Sequence, residues 1–261
     1  MAATDAPGLR FDRVSFPSRR GNRLVGLFHP PRVSGSGAVI LCHGMESTKD
    51  GTKQRLLRER LATLGIGVLG FDFSYVGESE GEFADLTFGG EVEDLGGAWD
   101  FVRGSDPGQV ALVGSSMGGA VALLFAGSEP GVAAIATIAA VGRPERMLAE
   151  LRPDEIARWR AAGTFSLGGV RLRSTFLDDL DGIDVLAACR GICCPVLVIH
   201  GDQDHVVPPS DADEIAAALG GASELEIVPG ADHRFSRPEH LDWLLDRVVD
   251  WLAPRFLGTA S

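Results

Sequence analysis

The pentapeptide Gly114-Ser115-Ser116-Met117-Gly118 lies between two apolar segments, and it constrains the fold more than any other feature of the chain. Residues 109–113 have the composition of a buried strand, and residues 119–126 suit a buried helix. A G-x-S-x-G sequence between a strand and a helix predicts a sharp turn that exposes the serine hydroxyl. Both glycines fit, because such a turn leaves no room for side chains between strand and helix. The sequence therefore predicts a nucleophilic Ser116, against the alternative of a turn without chemistry.

A serine nucleophile requires a general base, and the base requires an acid that orients it. His233 follows the apolar segment 225–228 and a glycine-containing loop, so we expect it beyond a strand end, where functional groups gather. His240 begins an amphipathic segment, which indicates a capping or surface residue. His43 precedes the nucleophile and is expected to hold its own loop by hydrogen bonds. We therefore predict that His233 is the base.

Two carboxylates compete for the role of the acid after the apolar run 195–200. Asp204 lies farther out on the loop, ahead of the anchoring segment 206–208. Asp202 is expected to stabilise the turn through its own backbone. We therefore predict that Asp204 is the acid.

The same loop carries two histidines, His200 and His205, which are expected to pack against it or to hydrogen-bond to it. A metal site is the alternative, and it would combine His200, Asp202, Asp204 and His205. The pattern has no helix-borne ligand pair and no cysteine spacing typical of zinc sites, so no metal ligand is predicted.

The apolar run 38–42 ends in His43-Gly44-Met45, which predicts an anion-stabilising loop. Negative charge develops on a carbonyl oxygen under nucleophilic attack, and preorganised backbone N–H groups stabilise it. The predicted donors are the N–H of Met117, directly after the nucleophile, and the N–H of Met45. Gly44 would let the backbone approach a substrate closely.

Together these motifs resemble the α/β-hydrolase superfamily over nearly the whole chain, and most of all small serine esterases of the cinnamoyl/feruloyl-esterase type. The resemblance implies Ser116 as nucleophile, His233 as base and Asp204 as acid, with Met45 and Met117 in the oxyanion hole. It also implies hydrolysis of small esters through an acyl-enzyme, without a cofactor. The second glycine of the lipase-type H-G-G-G motif is absent, which disfavours the hormone-sensitive-lipase branch. The matching motifs stand in the expected order: residues 43–45, 70–73, 77–81, 114–118, 201–204 and 230–233.

Short apolar strands alternate with helical segments, which predicts one α/β domain over residues 1–261 with a mostly parallel, eight-stranded sheet flanked by helices. The proposed catalytic residues all fall at the carboxyl ends of strands, where ligands bind in such sheets. The predicted strands are residues 10–16, 22–29, 38–42, 66–72, 109–114, 132–139, 195–200 and 224–228. The predicted helices are about 51–64, 89–103, 117–127, 211–219 and 239–252.

Residues 142–182 interrupt the alternation after the sixth strand and predict a lid over Ser116, against the alternative of a peripheral decoration. A helix is expected from Glu145 to Trp159, and Gly168-Gly169 indicates a hairpin. The side chains of this insertion form either a substrate pocket or the core of the lid itself. The predicted substrate-binding residues are Gly44, Met147, Leu148, Trp159, Phe165 and Leu167.

The net charge of −12 disfavours nucleic acid and anionic membrane surfaces as partners. The resemblance implies a small-molecule ester as the substrate. The first eight residues lack the features of a signal peptide, which predicts a cytoplasmic protein. The four cysteines suit neither zinc nor a disulfide framework, so buried free thiols are expected. The sequence leaves a homodimer open.

Other reactions can use the same residues. A thioesterase, an amidase or a peptidase would differ only in its lid and pocket. A dienelactone-type hydrolase is disfavoured because position 116 is serine, not cysteine. A non-catalytic binding protein of the same fold is disfavoured because Ser116, Asp204 and His233 are all present.

Overall fold

The computed structural model describes residues 9–33, 35–219 and 223–257. The described chain begins with an antiparallel pair, β1 (Asp12–Pro17) and β2 (Arg23–His29), as the sequence predicts. The central part alternates strictly between strands and helices. Its elements are β3 (Ala38–Cys42), α1 (Thr52–Thr63), β4 (Gly67–Asp72), α2 (Phe88–Arg103), β5 (Val110–Ser115), α3 (Met117–Ser128) and β6 (Val132–Ile138).

The insertion after β6 contains short elements. The expected helix from Glu145 to Trp159 is wrong, because Pro153 disfavours helical backbone at Arg152 and divides the segment. The hairpin around Gly168-Gly169 is confirmed, and both glycines adopt the positive φ that a tight turn requires. The elements are a 3-10 helix (Pro144–Leu148), α4 (Pro153–Ala162), β7 (Thr164–Leu167), β8 (Val170–Arg173), α5 (Thr175–Leu180) and α6 (Val185–Cys189).

The insertion is fixed to the rest of the molecule by charged contacts. Arg146 forms ion pairs with Asp211 and Glu214, which follow later in the chain. The hairpin residue Arg173 pairs with Glu82 at 3.0 Å. The carboxylate of Asp179 accepts hydrogen bonds from the first N–H groups of α2, including that of Phe88 at 2.7 Å.

The chain ends with two further strands and two helices, β9 (Val196–Gly201), α7 (Ser210–Leu219), β10 (Ser223–Val228) and α8 (Pro238–Leu257). The sheet has eight strands in the order β1-β2-β4-β3-β5-β6-β9-β10, and those from β3 onward run parallel. Every residue of β3, β4 and β5 is buried, as expected for strands covered on both faces.

Two apolar layers cover the two faces of the sheet. One contains α2, α3, α7 and the insertion, and the other contains α1 and α8. The carboxyl ends of β5, β9 and β10 meet at one edge of the sheet, so the loops that follow them converge there. Among the described residues, no helix has both the length and the apolar character needed to cross a membrane.

Candidate active site

Ser116 lies at a strained turn between β5 and α3. Its backbone has φ 55° and ψ −122°, a conformation that costs a serine about 1–3 kcal/mol. The flanking glycines make the turn possible. A Cβ on Gly114 would lie 2.3 Å from the Gly118 oxygen, and one on Gly118 would lie 2.3 Å from the His43 oxygen. The turn therefore requires glycine at both positions and lifts the Ser116 hydroxyl out of the sheet.

The structure brings His233 and Asp204 together with Ser116, although the three residues come from three loops. The Ser116 Oγ–H donates to His233 Nε2 at 3.1 Å, and His233 Nδ1–H donates to Asp204 Oδ2 at 2.7 Å. This arrangement assigns the Nδ1–H tautomer to His233, so its Nε2 is free to accept a proton. A hydroxyl, an imidazole and a buried carboxylate joined in this order can activate a serine oxygen for attack.

The carboxylate of Asp204 is fully buried and fully hydrogen-bonded. Its Oδ1 accepts from the N–H groups of Val206 and Val207 at 2.8 and 2.9 Å. Its Oδ2 also lies 3.0 Å from His200 Nε2. Burial alone would raise the pKa of Asp204, but the hydrogen bonds from His200, His233 and the backbone outweigh it and hold that pKa well below the usual range. Asp204 therefore stays ionised beside His233.

His200 hydrogen-bonds to its own loop, as the sequence indicates, and it also contacts the acid directly. Its Nε2 lies 3.0 Å from both the Val207 oxygen and Asp204 Oδ2. Both neighbours are acceptors, so His200 Nε2 must carry a proton. No sequence signal distinguishes this histidine from an ordinary buried residue of a core strand.

The competing carboxylate, Asp202, lies away from the histidine. Its Oδ1 accepts from the Gly230 N–H at 2.7 Å, so it joins its own loop to the one that carries His233. The expected bond of Asp202 to the backbone of its own turn is thus replaced by a bond to the neighbouring loop. His205 is exposed, and His240 lies in the first turn of α8 as predicted.

The loop after β3 packs directly against the serine turn. A Cβ on Gly44 would lie 3.2 Å from the Ser116 Cβ. Met117 is the first residue of α3, so its N–H has no partner within the helix. Among the residues that the structure describes, the Met45 N–H also donates to no acceptor. Two backbone donors are thus available beside Ser116.

His43 and Lys49 hold this loop in place. His43 Nδ1–H donates to the Gly44 oxygen at 2.8 Å, and its Nε2 accepts from the Phe73 N–H at 3.1 Å. Burial lowers the pKa of His43, so the ring is neutral, and its predicted structural role is confirmed. The buried Lys49 ammonium lies 2.8 Å from carboxylate oxygens of both Asp72 and Glu78.

An open cavity of about 620 Å³ lies beside Ser116. Gly44, Met45 and His233 line it, together with the start of α1 and the loop after His233. Lys53, Arg234 and Phe235 line the cavity without having been predicted from the sequence. For Arg234 and Phe235, adjacency to His233 was an available signal. The complete lining is Gly44, Met45, Glu46, Ser47, Gly51, Thr52, Lys53, Gln54, Ser115, Ser116, Val206, His233, Arg234, Phe235, Ser236 and Leu241.

None of the five substrate-binding residues predicted in the insertion lines this cavity. Trp159 is fully buried and stacks on Phe165 and Phe176, so a role for it in the cavity is wrong. The apolar side chains of the insertion pack against one another and against the layer beneath, which leaves them no contact with the cavity. Those outside the lining are Met147, Leu148, Trp159, Phe165 and Leu167.

Within the described parts of the chain, no three histidine, cysteine, aspartate or glutamate side chains are arranged to hold a metal ion. The described cysteines are free thiols. Cys42 and Cys189 are buried as expected, but Cys193 is exposed because it precedes β9 instead of lying within it.

The eight-stranded, mostly parallel sheet with a serine at the turn after β5 defines an α/β-hydrolase. The chain belongs to the serine aminopeptidase S33 family (Hydrolase_4), whose model matches residues 34–168. The chain is therefore a hydrolase of this superfamily.

Sequence relatives cover most of the chain. An uncharacterized protein of Mycobacterium tuberculosis is 30% identical over 245 residues, which are 92% of this chain and 78% of that protein. The human mitochondrial palmitoyl-protein thioesterase ABHD10 is 26% identical over 84% of this chain and 74% of its own length. Among solved structures, Est1E from Butyrivibrio proteoclasticus with bound ferulic acid superposes with a TM-score of 0.83 over 94% of this chain and 100% of its own. At 20% identity, this last similarity shows the fold alone.

Proposed function

We propose that this chain is a serine carboxylesterase that hydrolyses small esters of short-chain or hydroxycinnamoyl acids. The observation that carries the proposal is the continuous hydrogen-bond relay from Ser116 Oγ through His233 to Asp204, at 3.1 and 2.7 Å. The open cavity beside Ser116 gives a small substrate access to this relay. Est1E, which shares this fold, has ferulic acid bound, so a hydroxycinnamoyl ester is included among the candidate substrates.

The reaction proceeds by acyl transfer. Ser116 Oγ attacks the ester carbonyl carbon while its proton moves to His233 Nε2. The N–H groups of Met45 and Met117 stabilise the negative charge on the carbonyl oxygen. The C–O bond to the alcohol then breaks, and His233 donates its proton to the leaving oxygen. Water attacks the acyl-enzyme with His233 again as base, which releases the acid and restores Ser116.

In this proposal the insertion 142–182 is a fixed wall outside the cavity, because none of its residues lines the space beside Ser116. Its ion pairs through Arg146 and Arg173, and the contact of Asp179 with α2, support a wall that stays in place. The stacked Trp159 gives this wall its own apolar core.

The test compares hydrolysis of p-nitrophenyl acetate, butyrate and octanoate and of methyl ferulate by the unmodified protein, Ser116→Ala and Ser128→Ala. Ser128 lies at the other end of α3, where its Oγ donates to the Phe125 oxygen, so it controls for loss of a serine hydroxyl. We expect turnover by the unmodified protein and by Ser128→Ala, and none by Ser116→Ala. Equal turnover by both alanine variants would contradict the proposal.

Thioester hydrolysis is the second candidate, because several relatives are palmitoyl-protein thioesterases. The same relay can attack a thioester, and only the leaving atom changes. Butyryl esters and butyryl thioesters of matched size, assayed side by side, separate the two functions. A higher kcat/KM for the thioester that is lost in Ser116→Ala would make the chain a thioesterase. Turnover of neither substrate would favour amide hydrolysis or a binding role.

A further inference from the structure

Two cationic side chains lie in the cavity beside Ser116, and the ester mechanism uses neither of them. Lys53 is the second residue of α1, and Arg234 directly follows His233. Within residues 9–33, 35–219 and 223–257, neither forms an ion pair, and the Lys53 ammonium instead lies 5.8 Å from the centre of the Phe235 ring. The other lysine, Lys49, is surrounded by carboxylates. Lys53 is therefore a half-buried cation with no carboxylate in direct contact among the described residues, although Asp204 and Asp232 lie near enough to act on its charge.

Lys53 and Arg234 lie on the side of the cavity where the leaving group of an ester would be bound. His233 Nε2 receives the proton of Ser116 and must return it to the leaving atom, so the leaving group lies beside His233. The lining on that side consists of the loop from His233 to Ser236 and the first turn of α1. Lys53 and Arg234 therefore face the space of the leaving group.

The surroundings of Lys53 favour an anion. The first turn of α1 has no side-chain cap at Gly51, so its N–H groups and the positive end of the helix dipole add to the charge of the lysine. The acidic residue of the lining, Glu46, is exposed. A half-buried ammonium gains most from an ionic partner that also excludes water.

We propose that the leaving group of the substrate carries an anionic oxyacid group, a carboxylate or a phosphate, which Lys53 and Arg234 bind. This inference rests on the proposed function, since it assigns the leaving-group side of the same site. It makes Lys53 and Arg234 specificity-determining residues. Among the small esters, it predicts a preference for those whose alcohol carries a carboxylate or a phosphate.

The kinetic test uses two butyryl esters that differ in one charge, 4-(butanoyloxy)benzoate and its methyl ester. We expect Lys53→Gln to lower the ratio of kcat/KM for the anionic ester to that for the neutral ester about tenfold, and Arg234→Gln to lower it less. Arg190→Gln removes a positive charge from an exposed residue outside the cavity and should leave the ratio unchanged. An unchanged ratio in Lys53→Gln, or an equal fall in Arg190→Gln, would overturn the proposal.

A binding measurement keeps this test separate from that of the proposed function. Calorimetric titration of Ser116→Ala with both esters measures affinity without turnover. We expect tighter binding of the anionic ester, and loss of that preference in Ser116→Ala/Lys53→Gln. Equal affinities in Ser116→Ala would refute the anion site even if the unmodified protein hydrolyses both esters. Repeating the titration with 4-(butanoyloxy)phenyl phosphate decides between carboxylate and phosphate.

Discussion

His200 and Asp204 are joined inside the protein by a contact of 3.0 Å between Nε2 and Oδ2, and both side chains are fully buried. Asp204 Oδ2 is the same oxygen that accepts the hydrogen bond of His233. The acid therefore has two histidine partners, one facing Ser116 and one in the core, and the second fixes the orientation of the carboxylate.

Loss of the inner histidine should impair catalysis without removing any catalytic group. We expect His200→Leu to lower kcat/KM about tenfold, because a hydrogen bond to a charged group contributes about 1.5–3 kcal/mol. His200→Gln can place a donor near the position of Nε2 and should recover part of the activity.

The pH profile distinguishes this positioning role from a packing role. The hydrogen bond from His200 lowers the pKa of Asp204. Its loss raises that pKa, so the titration of the Asp204 carboxyl group, followed by carbon NMR, should move to higher pH in His200→Leu and return toward its original position in His200→Gln. A carboxyl titration that stays fixed in both variants would mean that His200 only fills space.

Asp204 and Asp202, both in the loop after β9, should differ greatly in the activity lost when each is replaced by asparagine. Asp204→Asn removes the charge that holds His233 in the Nδ1–H tautomer, and we expect a loss of about 10³–10⁴ in kcat. Asp202→Asn keeps an oxygen that can accept from the Gly230 N–H and should retain most of the activity. Comparable losses from the two changes, measured on p-nitrophenyl butyrate, would argue against Asp204 as the acid.

Discrimination between charged and neutral leaving groups should depend on pH. Burial lowers the pKa of Lys53 to about 8, against favourable charges on Asp204 and Asp232, while Arg234 lowers it further. Lys53 is positive below that pKa and neutral above it, so the preference for the anionic ester should fall as the pH rises through about 8.

The ratio of kcat/KM for the anionic ester to that for the neutral ester isolates this effect. His233 and Glu46 line the cavity for both substrates, so their contribution cancels in the ratio. Lys53→Gln provides the control, since it should show a low ratio that does not change over the same pH range. A ratio that falls equally in the unmodified protein and in Lys53→Gln would assign the effect to another group.

The buried ion cluster beneath the loop after β3 should matter more for stability than its exposed neighbour. Lys49→Met leaves the fully buried Asp72 without its cation, and we expect the free energy of unfolding to fall by about 3–5 kcal/mol. Asp50→Asn changes a carboxylate that is 58% exposed and should cost less than about 1 kcal/mol. Urea denaturation of both variants checks the difference, and equal losses would contradict it.

The sheet and the arrangement of Ser116, Asp204 and His233 could be predicted because each depends on local pattern and chain order. Strands buried on both faces are continuous apolar runs, and parallel connections bring the loops after them to one edge. Most predicted boundaries of the sheet elements lie within one or two residues of those in the structure.

The cavity could not be predicted, because its location depends on which side chains of the insertion pack against each other. Trp159 stacks on Phe165 and Phe176, and this removes them from the space beside Ser116. Lys53 reaches that space because α1 begins there, a relationship between two distant segments that no local pattern records. The division of the insertion at Pro153 was readable, since proline restricts the residue before it.

The turn at Ser116 is held by the sheet itself. The Ser116 N–H donates to the Ile138 oxygen on β6, and the Ala139 N–H donates to the Ile199 oxygen on β9. These bonds join the serine turn to neighbouring strands and involve no residue of the segment from 142 to 182. That segment could therefore be exchanged for one from a relative without displacing the reactive oxygen, so engineered chimaeras of the insertion should keep the geometry of bond cleavage.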